Sequence, residues 1–362
     1  MNTEALEDLA KQIKHWGQEL GFQEVGITDT DLSIAEQHLE NWLAKGYHGE
    51  MEYMHRHGLK RSRPSELQAG TYRVISVRMD YQTDSMKQLT QLLQDPTAAY
   101  ISRYALGRDY HKLMRQRLQK LVDKIHDALS TTNELSEAAT LFNIDMRPFV
   151  DSAPVLEKAL AEKAGLGWIG KHSNLINRKA GSWFFLGEIY TALPLPVDQA
   201  TSAHCGDCIA CLNICPTQAI VAPYQVDARR CVSYLTIELQ GPIPEEYRSL
   251  IGNRIYGCDD CQIICPWNRF AKLTKEVDFN PRQQLNTQQL LEVFNWTEVM
   301  FLAKTEGSAI RRIGYQRWLR NIAVALGNAP KSIEVKHALL AKLTACSDLV
   351  KEHVLWALVR HQ

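Results

Sequence analysis

Cys205-Gly-Asp-Cys208-Ile-Ala-Cys211-Leu-Asn-Ile-Cys215-Pro216 decides what kind of chain this is. Its spacing, C-x2-C-x2-C-x3-C-Pro, returns in shortened form as Cys258-x2-Cys261-x3-Cys265-Pro266, with Cys231 alone between the two groups. Three thiolates at x2 intervals reach three irons of one cubane, and the fourth cysteine, ahead of proline, serves the neighbouring cluster. That rule predicts one [4Fe-4S] cluster on Cys205, Cys208, Cys211 and Cys265. The other falls on Cys215, Cys231, Cys258 and Cys261, with Cys231 replacing the cysteine missing from the front of the second group. Structural zinc is the competing reading, but it favours paired C-x2-C knuckles with four ligands each. The third cysteine at x2 and the repeated Cys-Pro ending favour clusters, so the chain is read as one that moves electrons.

Working outward, 362 residues allow two or three domains. The predicted class is α/β: a layered α/β domain over 1–200, a ferredoxin-like two-cluster module over 201–270, and a helical, HEAT-like region over 271–362. Leu6, Leu9, Ala10, Ile13, Trp16 and Leu20 fall at helical spacing, and 24–28 reads as a strand. A second helical pattern carries Leu39, Trp42 and Leu43, and a long helix runs from Leu113 to Leu129. Residues 72–81, 146–150 and 183–193 read as strands. A helix is expected from Pro154 to Ala164, closed by Gly165 and Gly167. Helices around 318–326 and 350–359 suggest one or two HEAT-type pairs. Cys346, in an apolar helical pattern, is expected in a core.

Charge balances at 41 basic and 41 acidic residues. From Ala271 onward, however, 13 Lys and Arg face 8 Asp and Glu, or +5, leaving 28 against 33, or −5, elsewhere. A basic C-terminal third hints at a phosphate-bearing partner, although a solvated helical surface gives the same count. The acidic, amphipathic start is not a signal peptide, and no apolar run reaches membrane-spanning length. Reduced thiols point to the cytoplasm. A ferredoxin needs only the cysteine module, so the preceding domain is expected to hold a substrate or second cofactor. Asp151, at the end of a strand, is either a general acid made usable by desolvation or a helix cap before Pro154. Spacing alone favours the cap.

The segments VDSAPVLEKALAEKAGLGWIGKHSNLI (150–176), CGDCIACLNICPTQAI (205–220), RCVSYLTIELQGPIP (230–244) and IGNRIYGCDDCQIICPWN (251–268) closely resemble the epoxyqueuosine reductases. These are cobalamin-dependent enzymes distantly related to reductive dehalogenases. The resemblance runs over essentially the whole chain. It implies that cob(I)alamin, fed by the two clusters, removes the epoxide oxygen of epoxyqueuosine at the tRNA wobble position to give queuosine. It assigns Asp151 as proton donor, and Arg61, Ser102, Ser173, Leu175, Leu186, Ser233, Cys258 and Asp259 as cobalamin contacts. The basic end implies tRNA binding, with Arg311, Arg312, Arg317 and Arg320 as candidate phosphate contacts and a flipped base at the cofactor. An external low-potential electron donor and a monomer complete the expectation. The string Asp109-Tyr-His111 lacks the glycine of the D-x-H-x-x-G signature. Cobalamin is therefore expected without a protein histidine on cobalt, and His111 as a surface or packing residue. A dehalogenase-like enzyme, an electron-transfer ferredoxin and a tRNA-binding scaffold are the alternatives.

Overall fold

The structure is a computed structural model that describes residues 3–131 and 145–362. A four-stranded sheet positions everything upstream of the cysteines. Its strands are β1 (Glu24–Thr28), β2 (Arg73–Asp80), β4 (Arg147–Phe149) and β5 (Phe184–Thr191), with Tyr100–Ile101 as β3 in a separate ladder. The order is β1-β2-β5-β4, antiparallel throughout, with Arg73 opposite Thr191 and Asp80 opposite Phe184. Alternation of helix and strand along the chain does not fix strand direction, and here the direction is antiparallel.

Side-chain alternation splits the sheet into two buried faces. Ile75, Val77, Phe185 and Ile189 pack with Leu9 and Ile13 of α1 (Thr3–Glu19). They also meet Leu118, Leu121 and Ile125 of the long helix Tyr110–Thr131. Val74, Phe149 and Tyr190, on the opposite face, pack with Val155 and Leu160 beneath the helix Glu157–Lys163. Covering both faces explains why β5 is buried along its whole length.

That short helix begins three residues later than the proline signal predicts. Its N-cap is Leu156, without a side-chain cap, so Asp151 caps nothing. Its end follows a rule of backbone geometry. The Leu166 amide donates to the Ala161 carbonyl and the Gly165 amide to the Glu162 carbonyl, with Gly165 at φ +79. This is a Schellman closure, which demands a left-handed residue and so a glycine.

A parallel ladder ties the first two hundred residues to the cysteine segment: β3 pairs with Arg254–Tyr256, and the Ser102 amide donates to the Tyr256 carbonyl. Each cysteine group flanks a short helix, Ala210–Ile214 carrying Cys211 and Asp260–Ile263 carrying Cys261, and the two helices touch each other. At the C-terminus, the helices Gly314–Asn328 and Asp348–Arg360 pack together around Trp318, Ile322, Val350 and Val354. This cluster also takes in Ala99, Ile101 and Leu106, so the C-terminal helices share their core with the N-terminal part. Cys346 is only half-buried at the margin of this core, not within it, because it lies in the turn before the last helix. No helix among the described residues is long and apolar enough to cross a membrane.

Candidate active site

A cavity of about 1150 Å³ opens where the helix Glu157–Lys163, the cysteine segment and the 309–312 turn meet. Small-molecule pockets run to roughly 300–1,000 Å³, so this space suits an unusually large group or two molecules together.

Asp151 is on its wall, just past the end of β4. Its backbone sits at φ +37, a left-handed conformation costly for a residue with a Cβ and typical of functional sites. About 49% of its side chain is accessible, and it lines the cavity. The Tyr110 hydroxyl donates to Asp151 Oδ2 at 2.5 Å, and His111 Nε2 lies 3.2 Å from the same oxygen. His111 Nδ1 in turn lies 2.6 Å from Asp109 Oδ1. Two ring nitrogens each facing a carboxylate oxygen suit the doubly protonated imidazolium.

The electrostatics agree with that geometry. Burial alone would lower the His111 pKa, but hydrogen bonds to Asp109 and Asp151 outweigh it and push it up to about 9. Burial would raise Asp151, but the His111 and Tyr110 hydrogen bonds bring it below the ordinary carboxylate range. Two expectations are thereby amended. His111 packs on Tyr110 but is also tied to two carboxylates at the cavity, and desolvation does not make Asp151 a neutral acid. The proton at neutral pH sits on His111, hydrogen-bonded to Asp151. Nothing in sequence spacing brings 109–111 to 151; the long helix does so by packing on the sheet that β4 belongs to.

Among the residues expected around cobalamin, Ser102, Ser173, Leu175, Leu186, Ser233, Cys258 and Asp259 all line this cavity. Ser173 also has positive φ. The Ser102 hydroxyl is committed to Asp259 Oδ1 at 2.5 Å, and Asp259 further accepts from the Tyr100 hydroxyl and the Arg103 amide. Arg61 is not in the lining. It is 7% exposed, donates to the Tyr53 carbonyl at 2.7 Å, and keeps Nε buried without a protein partner, within electrostatic reach of Asp151.

The eight clustered cysteines come together as two sets of four. Cys265 lies within electrostatic reach of Cys205, Cys208 and Cys211, while Cys261 interacts with Cys231 and Cys215, and Cys258 with Cys231 and Cys261. Among the described residues, no three Cys, His, Asp or Glu side chains converge to hold a single metal ion. Four irons of a cubane require a wider spread of sulfurs than one zinc does. The two sets differ in position. Cys215, Cys231, Cys258 and Cys261 line the cavity, whereas Cys208 of the other set is exposed at the surface.

The four nominated arginines also divide. Arg311 and Arg312 stand at the cavity, Arg312 paired with Glu238 at 2.8 Å. Arg317 and Arg320 are not available to phosphate. Arg317 donates to the carbonyls of Ile313, Ile237 and Arg312. Arg320, 0% exposed, donates to those of Leu235, Leu239 and Gly241. The helix Gly314–Asn328 turns these two side chains inward, where they pin the 235–241 segment.

Comparison with known proteins gives the same picture from outside. Residues 204–268 match the family model described as a 4Fe-4S double cluster binding domain, and residues 61–152 match that described as epoxyqueuosine reductase QueG, DUF1730. The epoxyqueuosine reductase of Pseudomonas aeruginosa is 60% identical over 98% of this chain and 94% of its own. That of Escherichia coli K12 is 59% identical over 98% of this chain and 90% of its own. A crystal structure of epoxyqueuosine reductase with an epoxyqueuosine-modified tRNA-Tyr stem loop superposes with a TM-score of 0.84 at 25% identity, covering 99% of this chain and 91% of that one. The Streptococcus thermophilus structure gives 0.83 at 27%, covering 97% and 90%.

Proposed function

This chain belongs to the epoxyqueuosine reductase family, and we propose that the cavity beside Asp151 is where the epoxide oxygen of epoxyqueuosine in tRNA is removed to give queuosine. The reaction takes two electrons and two protons: both carbon–oxygen bonds break, a carbon–carbon double bond forms, and the oxygen leaves as water. One observation carries this reading. The inner cysteine set and the Asp151–His111 pair open into the same cavity, so electrons and protons meet in one place.

Cobalamin fits this cavity on three grounds. The volume exceeds the ordinary range for small ligands. The wall combines apolar Leu175, Phe184 and Leu186 with polar atoms that lack protein partners, His172 Nε2 among them. His111 spends both ring nitrogens on carboxylates and leaves none for cobalt. Ser173, Leu175, Leu186, Ser233 and Asp259 would hold the group, with Arg61 behind the wall. When bound, it supplies a strongly nucleophilic reduced metal that the protein alone lacks. The chain's own part is placement and proton supply. His111 Nε2 holds a proton against Asp151, and Asp151 presents it to the departing oxygen.

Exposed Cys208 makes the outer cysteine set the entry point for an external low-potential donor. Arg311 and Arg312 at the cavity would meet tRNA phosphate while the modified base, flipped out of its stack, enters. We read 1–200 as the cofactor and substrate part, 201–270 as the electron-carrying part and 271–362 as the helical tRNA-facing part. The protein acts as a monomer in the cytoplasm, where tRNA is found and thiols stay reduced. The test is turnover of epoxyqueuosine-containing tRNA by anaerobically reconstituted protein with cobalamin and a low-potential reductant. Queuosine is expected from wild type and lost in Asp151→Asn. No product from wild type carrying both clusters and cobalamin overturns the assignment.

A further inference from the structure

Removing an epoxide oxygen as water consumes two protons, and the His111–Asp151 pair holds one. A third carboxyl of the same wall has no part so far. Glu157, first residue of the helix Glu157–Lys163, lines the cavity with Asp151, and its carboxylate faces the Asp151 backbone amide. We propose that Glu157 supplies the second proton of the reaction, passing it through Asp151 to the leaving oxygen. This rests on the epoxide-removal reading above.

The groups facing Glu157 come from every neighbouring element. Asp151 lies on the loop after β4, His111 on the long helix, Lys158 on its own helix, and Glu188 on β5. Glu188 stands on the sheet face covered by that helix, opposite Ser76 and Phe149. It is 0% exposed, both of its oxygens lack a partner, and burial raises it well above the carboxylate range, so it offers Glu157 neither a proton acceptor nor a counter-charge. Lys158, next in the chain, opposes the rise with its charge, but its Nζ donates to the Ser173 carbonyl at 2.8 Å. Burial, then the adjacent Asp151 charge, pushes Glu157 up to about 8. It therefore holds its proton at neutral pH, where Asp151 does not.

The sequence of transfers balances. Asp151 delivers the proton held by His111, and the half-released oxygen still needs a second. Two electrons from the external donor form the new double bond. Glu157 gives its proton to Asp151, which passes it on; the oxygen departs as water, and both His111 and the Glu157 carboxylate beside Lys158 are reprotonated from solvent. Glu157 thus acts through Asp151 and touches no reacting atom.

The experiment compares wild type, Glu157→Gln and Glu157→Asp, each loaded with clusters and cobalamin, by queuosine formation across pH 6–10. Infrared spectra of the protonated-carboxyl band are recorded alongside. Wild-type turnover should fall above about pH 8 as Glu157 ionises, with a further fall near 9 from His111. Glu157→Gln should be slower by about tenfold, lack the limb near 8, and lose a carboxyl band that in wild type disappears over the same pH range. Glu157→Asp should recover part of the rate, with its limb and band displaced together. A Gln variant that matches wild type in rate and alkaline limb, or a band unaffected by the substitution, overturns the relay. Wild type that makes no queuosine defeats the reaction itself instead. If Glu157→Gln does not hold its clusters, the Asp variant decides: a limb and band left in place sink the proposal.

Discussion

The cysteine segment and the Asp151 wall are the two working halves of this molecule, and they are built differently. In the segment, short spacing gathers Cys205, Cys208 and Cys211 for one cluster and Cys258 with Cys261 for the other, and the remaining ligands, Cys265, Cys215 and Cys231, come from farther along the same 61 residues. In the wall, the Asp109–His111 helix start, Asp151 and Glu157 come from three separate stretches and meet only because the two helices pack on the sheet that β4 belongs to. The first half tolerates little change of residue type but much change around it. The second depends on the surrounding fold and can be adjusted by small electrostatic shifts. Substituting one ligand of the inner set, Cys261→Ala, breaks the contrast most sharply. It should abolish queuosine formation and remove one of two clusters, measured as iron content and visible absorbance, while the sheet and cavity wall stay folded. Retained turnover with one cluster would mean that the inner set is not on the electron route.

On the wall the effects are graded. Asp151→Asn keeps the shape and removes the proton path, so the rate should fall by about 10²–10⁴-fold with both clusters retained. His111→Gln should cost about tenfold, the worth of one charge-assisted hydrogen bond. It should also erase the fall near pH 9. The sign follows from the direction of the shift: His111 is raised from 6.5 to about 9. Its contribution, to the folded pair as to the proton supply, is therefore full below about 6.5 and lost as pH rises through about 9. Rate profiles and thermal melting of the two proteins across that range would show it; an unchanged limb in His111→Gln removes His111 from the proton path.

How much of this is legible in the sequence follows the same division. The cysteine sets, with Cys231 completing the inner one, are readable because ligand chemistry imposes spacing. The strands at 24–28 and 73–80 are readable because their apolar positions carry the pattern. The partnership of His111 with Asp151 is not, since Asp109-Tyr110-His111 looks like any helix start until the helix is docked. The proline at 154 suggests a helix start, and with it a cap for Asp151, but the chain runs three residues further before turning. The direction of the Asp151 shift is hidden for the same reason: burial alone predicts a neutral acid, and the hydrogen bonds from His111 and Tyr110 reverse it. Resemblance to a family named the aspartate, but not what holds its proton.

The arginines of the C-terminal third give the smallest effect and the cleanest internal control. Composition treats Arg311, Arg312, Arg317 and Arg320 alike, whereas the structure sends two outward and two inward. Phosphate contacts reveal themselves through salt, because each releases about one counterion on binding. Replacing Arg311 with Ala should weaken tRNA binding a few-fold at moderate salt and flatten the log–log salt slope by about 0.7–0.9. Arg312→Ala should do the same, less the strength of its pair with Glu238. Arg320→Ala should leave the slope alone and instead destabilise the protein by about 2–4 kcal/mol, since the carbonyls of Leu235, Leu239 and Gly241 lose their donor inside the fold. Binding isotherms at four or five salt concentrations, beside denaturant melts, separate the two behaviours. A reduced slope in Arg320→Ala, or an unchanged one in Arg311→Ala, would mean that tRNA approaches another face, and the cavity mouth would lose its claim to the anticodon.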